Sequence, residues 1–158
     1  MKILKSAILL SLPIVFTWCL SSCAREEYAE KRSGPWKVTK VEQAFYATSD
    51  TTEADSIVVY ESDTLGSFNF YNTHPYGNVY ILINYPSCFL GRDFDAEYEV
   101  HPNNREILTF FAGYTNDSYI NFSVKGENNK KQVWTTIGEY KDGLVRESIW
   151  VKKISNIY

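Results

Sequence analysis

Cysteine, histidine, methionine and basic runs are all scarce in this 158-residue chain, and most of these scarcities exclude something. The three cysteines are Cys19, Cys23 and Cys88, the first two within or just after an amino-terminal apolar segment. Cys88 therefore stands alone in the body of the chain. That excludes an internal disulfide framework and leaves Cys88 as a small buried hydrophobe or a free thiol. The two histidines, His74 and His101, have no neighbours at metal-ligand spacing, so no metal site is expected. His74 reads as part of the turn at Pro75, and His101 as the end of a strand. No nucleophile elbow, phosphate loop or paired Cys motif occurs, so neither a reaction nor a cofactor can be read from a motif. No block of lysine and arginine is present, which argues against nucleic acid as a partner. The longest largely apolar run, residues 7–20, has about 14 residues, whereas a helix needs about 20 to cross a ~30 Å hydrocarbon core. A retained transmembrane helix is therefore not expected.

What is present begins with that run. Lys2 and Lys5 precede it and Ser21-Ser22 lead into Cys23, the layout of an export signal. Leu20-Ser21-Ser22-Cys23 resembles the lipobox of bacterial lipoproteins. That resemblance implies cleavage after Ser22, acylation of Cys23 by chains such as palmitate, and a protein held to an envelope membrane, with outer membrane as the expected address. Each buried methylene adds about 0.8 kcal/mol of membrane affinity. Cys19 is a poor rival, because Trp18 stands where the peptidase needs a small side chain. The alternative is an ordinary secretory signal with an incidental cysteine. Residues 23–33 then form an acylated cysteine and a polar tether. Arg25-Glu26-Glu27 within it resembles acidic sorting signals of some lipoproteins, which leaves the periplasmic face and the cell surface both open.

Without residues 1–22 the chain has 136 residues, a size suited to one domain over 34–158. The 16 basic residues less Lys2 and Lys5 leave 14 against 19 acidic ones, a net charge of −5. Aromatic residues make up 16% of the chain, which favours strands. Alternation predicts about nine short strands joined by polar turns. Trp36 and Val38 share one face, with Val41, Gln43 and Phe45 out of phase, so a bulge is expected near Lys40. Residues 79–85 are apolar on both faces and are expected to be covered on both sides. Residues 95–101 set Ala96, Tyr98 and Val100 against Asp95, Glu97 and Glu99. Asp142-Gly143 is expected at the centre of a tight hairpin, because both residues tolerate positive φ. There is no room for the crossovers that parallel strands need, so the fold class is all-β, an antiparallel barrel or a β-sandwich.

Gly34-Pro35-Trp36 at the head of the first strand resembles the G-x-W start of lipocalins. The chain is also similar to small lipocalin-like lipoproteins in its length, its meander and its ending, Glu147-Ser148-Ile149-Trp150-Val151-Lys152-Lys153. The resemblance implies a meander closed as a barrel, Trp36 plugging its closed end, and Lys152 or Lys153 over that ring in a cation–π contact. It also implies a ligand in the mouth of the barrel, or an interior filled by the protein's own side chains. Phe68, Phe70, Ile81, Ile83, Tyr98, Ile120 and Phe122 lie on the apolar phases of their strands. If the barrel is hollow, Phe68, Phe70, Ile81, Tyr98 and Phe122 are the candidate ligand contacts; if it is filled, they are core.

The expected function is a non-enzymatic binding module for a small apolar or aromatic ligand or an envelope protein partner. The alternative is an enzyme assembled around Asp93, Asp95 and His101. On a strand Asp93, Asp95 and Glu97 project from one face, and a solvated outer face explains them more simply than calcium binding. Thr51, Ser56 and Thr64 each follow an aspartate, which resembles the O-glycan acceptor pattern of some anaerobic bacteria. Asp117-Ser118 is a fourth such pair.

Overall fold

The computed structural model describes residues 32–47, 50–71, 76–101, 107–111, 119–128, 130–141 and 143–154. Cys23 and the tether as far as residue 31, His74-Pro75, the 102–104 turn and Asp117-Ser118 lie outside them. The described residues form nine strands in chain order: β1 (Gly34–Tyr46), β2 (Ser56–Glu61), β3 (Gly66–Phe70), β4 (Tyr76–Ile83), β5 (Asp93–Val100), β6 (Ile107–Phe111), β7 (Tyr119–Asn128), β8 (Lys131–Tyr140) and β9 (Gly143–Lys153). Every pairing is antiparallel, and β1 pairs with β9 from Trp36↔Lys153 to Tyr46↔Leu144. That last pairing closes β1 and β3 to β9 into an eight-stranded barrel. A sandwich is thereby excluded.

The ninth strand explains why β1 is so long. Gly34 to Lys37 pair with β3, whereas Lys40 to Phe45 pair with β2 on the same edge. The register of β1 against β9 slips between Val38 and Lys40, the bulge that the change of phase predicts. Before it Trp36 and Val38 point inward; after it Val41 and Gln43 do. Phe45 departs from that phase. It is half-buried, with its ring 6.1 Å from that of Tyr140, while Ala44 and Tyr46 are buried.

Two expectations are corrected. In β4, Val79, Ile81 and Ile83 are buried but Tyr80 and Leu82 are only half-buried, because a barrel strand has core on one face alone. At the last hairpin Tyr140 pairs with Gly143, so Gly143 opens β9 and does not stand at the centre of the turn; Lys141 adopts φ 54°, and Asp142 lies outside the described residues. The glycine is required there for another reason: a Cβ would collide with the Tyr46 carbonyl oxygen on β1.

The interior is aromatic. The Trp134 ring lies 4.8 Å from Phe68, 5.9 Å from Phe70, 6.0 Å from Trp36 and 6.1 Å from Phe110, centroid to centroid. Phe68 stacks on Phe110 at 5.8 Å, and Phe110 meets Phe122 edge-on at 5.5 Å. These are the offset and edge-to-face spacings that ring quadrupoles favour. Both buried indoles are satisfied: Trp36 Nε1 donates to the Arg32 carbonyl at 2.6 Å, and Trp134 Nε1 to Gln132 Oε1 at 2.9 Å.

Candidate functional site

β1 and β9 run antiparallel from an end marked by Trp36 and Lys153 to an end marked by Tyr46 and Gly143. At the Trp36 end Gly34 adopts φ 91°, and Lys153 Nζ stands 5.9 Å from the centroid of the Trp36 ring. Burial holds the Lys153 ammonium below its ordinary pKa, since leaving water disfavours the charged form.

The other end is built differently. Inward phases of β9 carry Val145, Glu147, Ile149 and Val151, so one carboxylate replaces an aliphatic side chain in the row, and Glu147 is 0% exposed. A carboxylate cut off from water is tolerated only when its oxygens are hydrogen-bonded. Here four donors meet it. Gln43 Nε2 and the Cys88 amide donate to Oε2 at 2.6 and 3.1 Å; Ser87 Oγ and Tyr85 Oη donate to Oε1 at 2.7 and 3.3 Å. Gln43 comes from β1, opposite Glu147 in register. The other three come from residues 84–92, the connection between β4 and β5.

That connection folds over the barrel mouth. Asn84 ties it to the β2–β3 turn, its amide donating to the Leu65 carbonyl and its side chain to the Thr64 carbonyl, both at 2.9 Å. Ser87 Oγ also accepts from the Phe89 and Leu90 amides at 3.3 and 3.0 Å. Tyr85 and Leu90 are buried, and Phe89 lies against Gly138, where a Cβ would stand 2.9 Å from its ring. The Tyr85 ring is 5.9 Å from Tyr60. Burial first, and the Glu147 charge second, push the Tyr85 phenol up. The same two causes, in the same order, push the half-buried Cys88 thiol up to about 11. Both groups are therefore neutral at neutral pH, and of the two only the Tyr85 phenol donates to Glu147, Cys88 reaching it through its backbone amide.

A cavity of about 420 Å³ opens beside this layer, lined by Ile83, Asn84, Tyr85, Pro86, Ser87, Leu90 and Arg92. A second hollow of about 320 Å³ lies on the outside of the barrel, lined by Thr39, Lys131, Gln132, Val133, Trp150, Val151 and Lys152, with Lys40 Nζ 4.7 Å from the Trp150 centroid.

No protein-family model and no curated protein matches this chain. Among solved structures it is similar to a bovine odorant binding protein in a deswapped triple-mutant form, with a TM-score of 0.44 and 11% sequence identity. The match covers 81% of this chain and 77% of that one.

The structure places the candidate ligand contacts together, deep in the barrel. Phe68, Phe70, Ile81, Tyr98 and Phe122 are at most 2% exposed and pack on each other, on Trp134 and on Phe110, with Phe70 and Tyr98 edge-on at 4.8 Å. Asp93, Asp95 and His101 are not brought together. Asp93 and Asp95 are exposed on the outer face of β5 and His101 lies beyond its far end, about 26 Å from Asp93 and about 20 Å from Asp95 at strand spacing. Of the glycan candidates, Ser56 and Thr64 are exposed and Thr51 is half-buried. Sequence reasoning missed Glu147, Tyr85 and Ser87. A signal for Glu147 was there, since it shares the inward phase of Ile149 and Val151; for Tyr85 and Ser87 there was none.

Proposed function

We propose that the protein is an envelope-anchored lipoprotein whose barrel is a non-enzymatic binding module, taking a small apolar or aromatic ligand at the Tyr46 end. One observation carries the reading. The aromatic core fills the Trp36 end and the middle of the barrel, while at the Tyr46 end a polar layer adjoins a cavity of about 420 Å³ with Ile83, Tyr85, Pro86 and Leu90 in its walls. Small-ligand sites are concave, largely apolar, carry a few placed polar groups, and run from about 300 to 1,000 Å³. The anchor is supported by Leu20-Ser21-Ser22-Cys23. Native mass spectrometry of the full chain from membrane extracts tests the binding reading: a retained small molecule is expected, and recovery of the bare chain across gentle detergents would overturn it.

A second reading, docking on an envelope protein, is favoured by β2. It ends the sheet order and exposes Ile57, Val58 and Val59 at 57%, 38% and 50%. Apolar side chains on an edge strand invite pairing with another chain.

A further inference from the structure

Glu147 is the one carboxylate among the described residues that is fully buried, and the described ion pairs do not include it. Its four described partners are neutral, so among the described residues the charge has no counter-ion. Neutral donors stabilise a buried carboxylate less than a cation hydrogen-bonded to it would. A glutamine at this position would avoid the desolvation of a charge, but its NH2 group would face donors where a carboxylate oxygen accepts.

The carboxylate is also one side chain away from the cavity. Tyr85 and Ser87 line the cavity and both donate to Oε1, and the Tyr85 bond, at 3.3 Å, is the longest of the four. Three of the donors sit on a connection outside the sheet, so they can withdraw without breaking a ladder. The walls supply Ile83, Leu90, Pro86 and the Tyr85 ring, which suits an apolar or aromatic body behind a small polar head. Arg92, exposed to solvent, also lines the cavity, and its charge opposes a cation there, so the attraction of Glu147 has to outweigh it.

Resting on the binding reading above, we infer that Glu147 is the counter-ion of a ligand bearing a protonated amine: the ammonium replaces Tyr85 Oη on Oε1, and an aromatic or aliphatic body fills the cavity that residues 83–92 line.

The test titrates the full chain with 2-phenylethylamine and, separately, with its neutral isostere 2-phenylethanol, followed by calorimetry at neutral pH. The amine is expected to bind at least about tenfold more tightly than the alcohol, and Glu147→Gln to abolish that preference. Tyr85→Phe keeps the carboxylate and removes its weakest competitor, so it is expected to tighten amine binding even as it lowers the thermal midpoint. That opposite movement separates a ligand site from a purely structural latch. Equal binding of amine and alcohol would overturn the amine assignment while leaving a small-ligand site standing. Binding of neither probe, or an amine preference that survives in Glu147→Gln, would overturn it as well. If Glu147→Gln fails to fold, Tyr85→Phe decides alone: amine affinity that falls with stability counts against the inference.

Discussion

Gln43 Nε2 donates to Glu147 Oε2 at 2.6 Å and to the Pro86 carbonyl at 2.8 Å, so one side-chain amide ties β1 to β9 and to the connection over the barrel mouth. An amide nitrogen has two protons to give, and both are used here. Gln43→Leu removes both bonds and leaves Glu147 Oε2 with the Cys88 amide alone. The expected loss is about 1 to 3 kcal/mol, read from urea denaturation with the slope unchanged. An unaltered midpoint would mean that Glu147 does not depend on this bond.

The packed rings make a second expectation. Phe70 and Phe122 are 2% and 0% exposed, each against other aromatic rings. Phe70→Ala and Phe122→Ala are each expected to cost about 3 to 5 kcal/mol, because the surrounding barrel cannot collapse into the space. Differential scanning calorimetry checks this, and midpoints near that of the parent would show that these faces are not packed.

At the opposite end Lys153→Ala removes the ammonium over the Trp36 ring. About 0.5 to 1 kcal/mol of stability should be lost, with much of it restored in Lys153→Arg, since a guanidinium can take the same place over the indole. Equal losses in the two variants would point to packing of the lysine stem in place of the charge.

Cys88 provides a pH test. Its thiol is raised from 9.0 to about 11, first by burial and then by Glu147, so the folded state favours the neutral form. The sign follows from linkage: the stabilisation is complete below the unfolded pKa and is lost as pH rises from about 9 towards 11. Alkylation by iodoacetamide should be slow at pH 8 in the native protein and quicken across that window. A native rate at pH 8 matching that of the urea-unfolded chain would refute the shift.

For the anchor, Cys23→Ala is expected to move the protein from the detergent phase to the aqueous phase in a phase-separation assay. Loss of acylation removes the buried methylenes that hold it to the bilayer. Unchanged partitioning would show that something other than Cys23 binds the membrane.

Much of the barrel is set by properties that act within a few residues. Alternation in β5 and β7, the change of phase at Lys40 that becomes the bulge, and the Gly34-Pro35-Trp36 start are all local, because a strand's side chains alternate whatever the strand pairs with. Tertiary structure alone decided the rest. The closure of β1 on β9 joins residues 111 apart between Thr39 and Trp150, and the bond from Gln43 to Glu147 spans 104. Contacts at that separation depend on how all the intervening strands register, which no short window of sequence contains. The outer-face exposure of Tyr80 and Leu82 and the placing of the last turn before Gly143 were decided in the same way, by which backbone lies alongside. So was the site. A glutamate in an aliphatic row became a buried carboxylate because the barrel closed around it, and Tyr85 and Ser87 became its partners because residues 84–92 cover that end of the barrel.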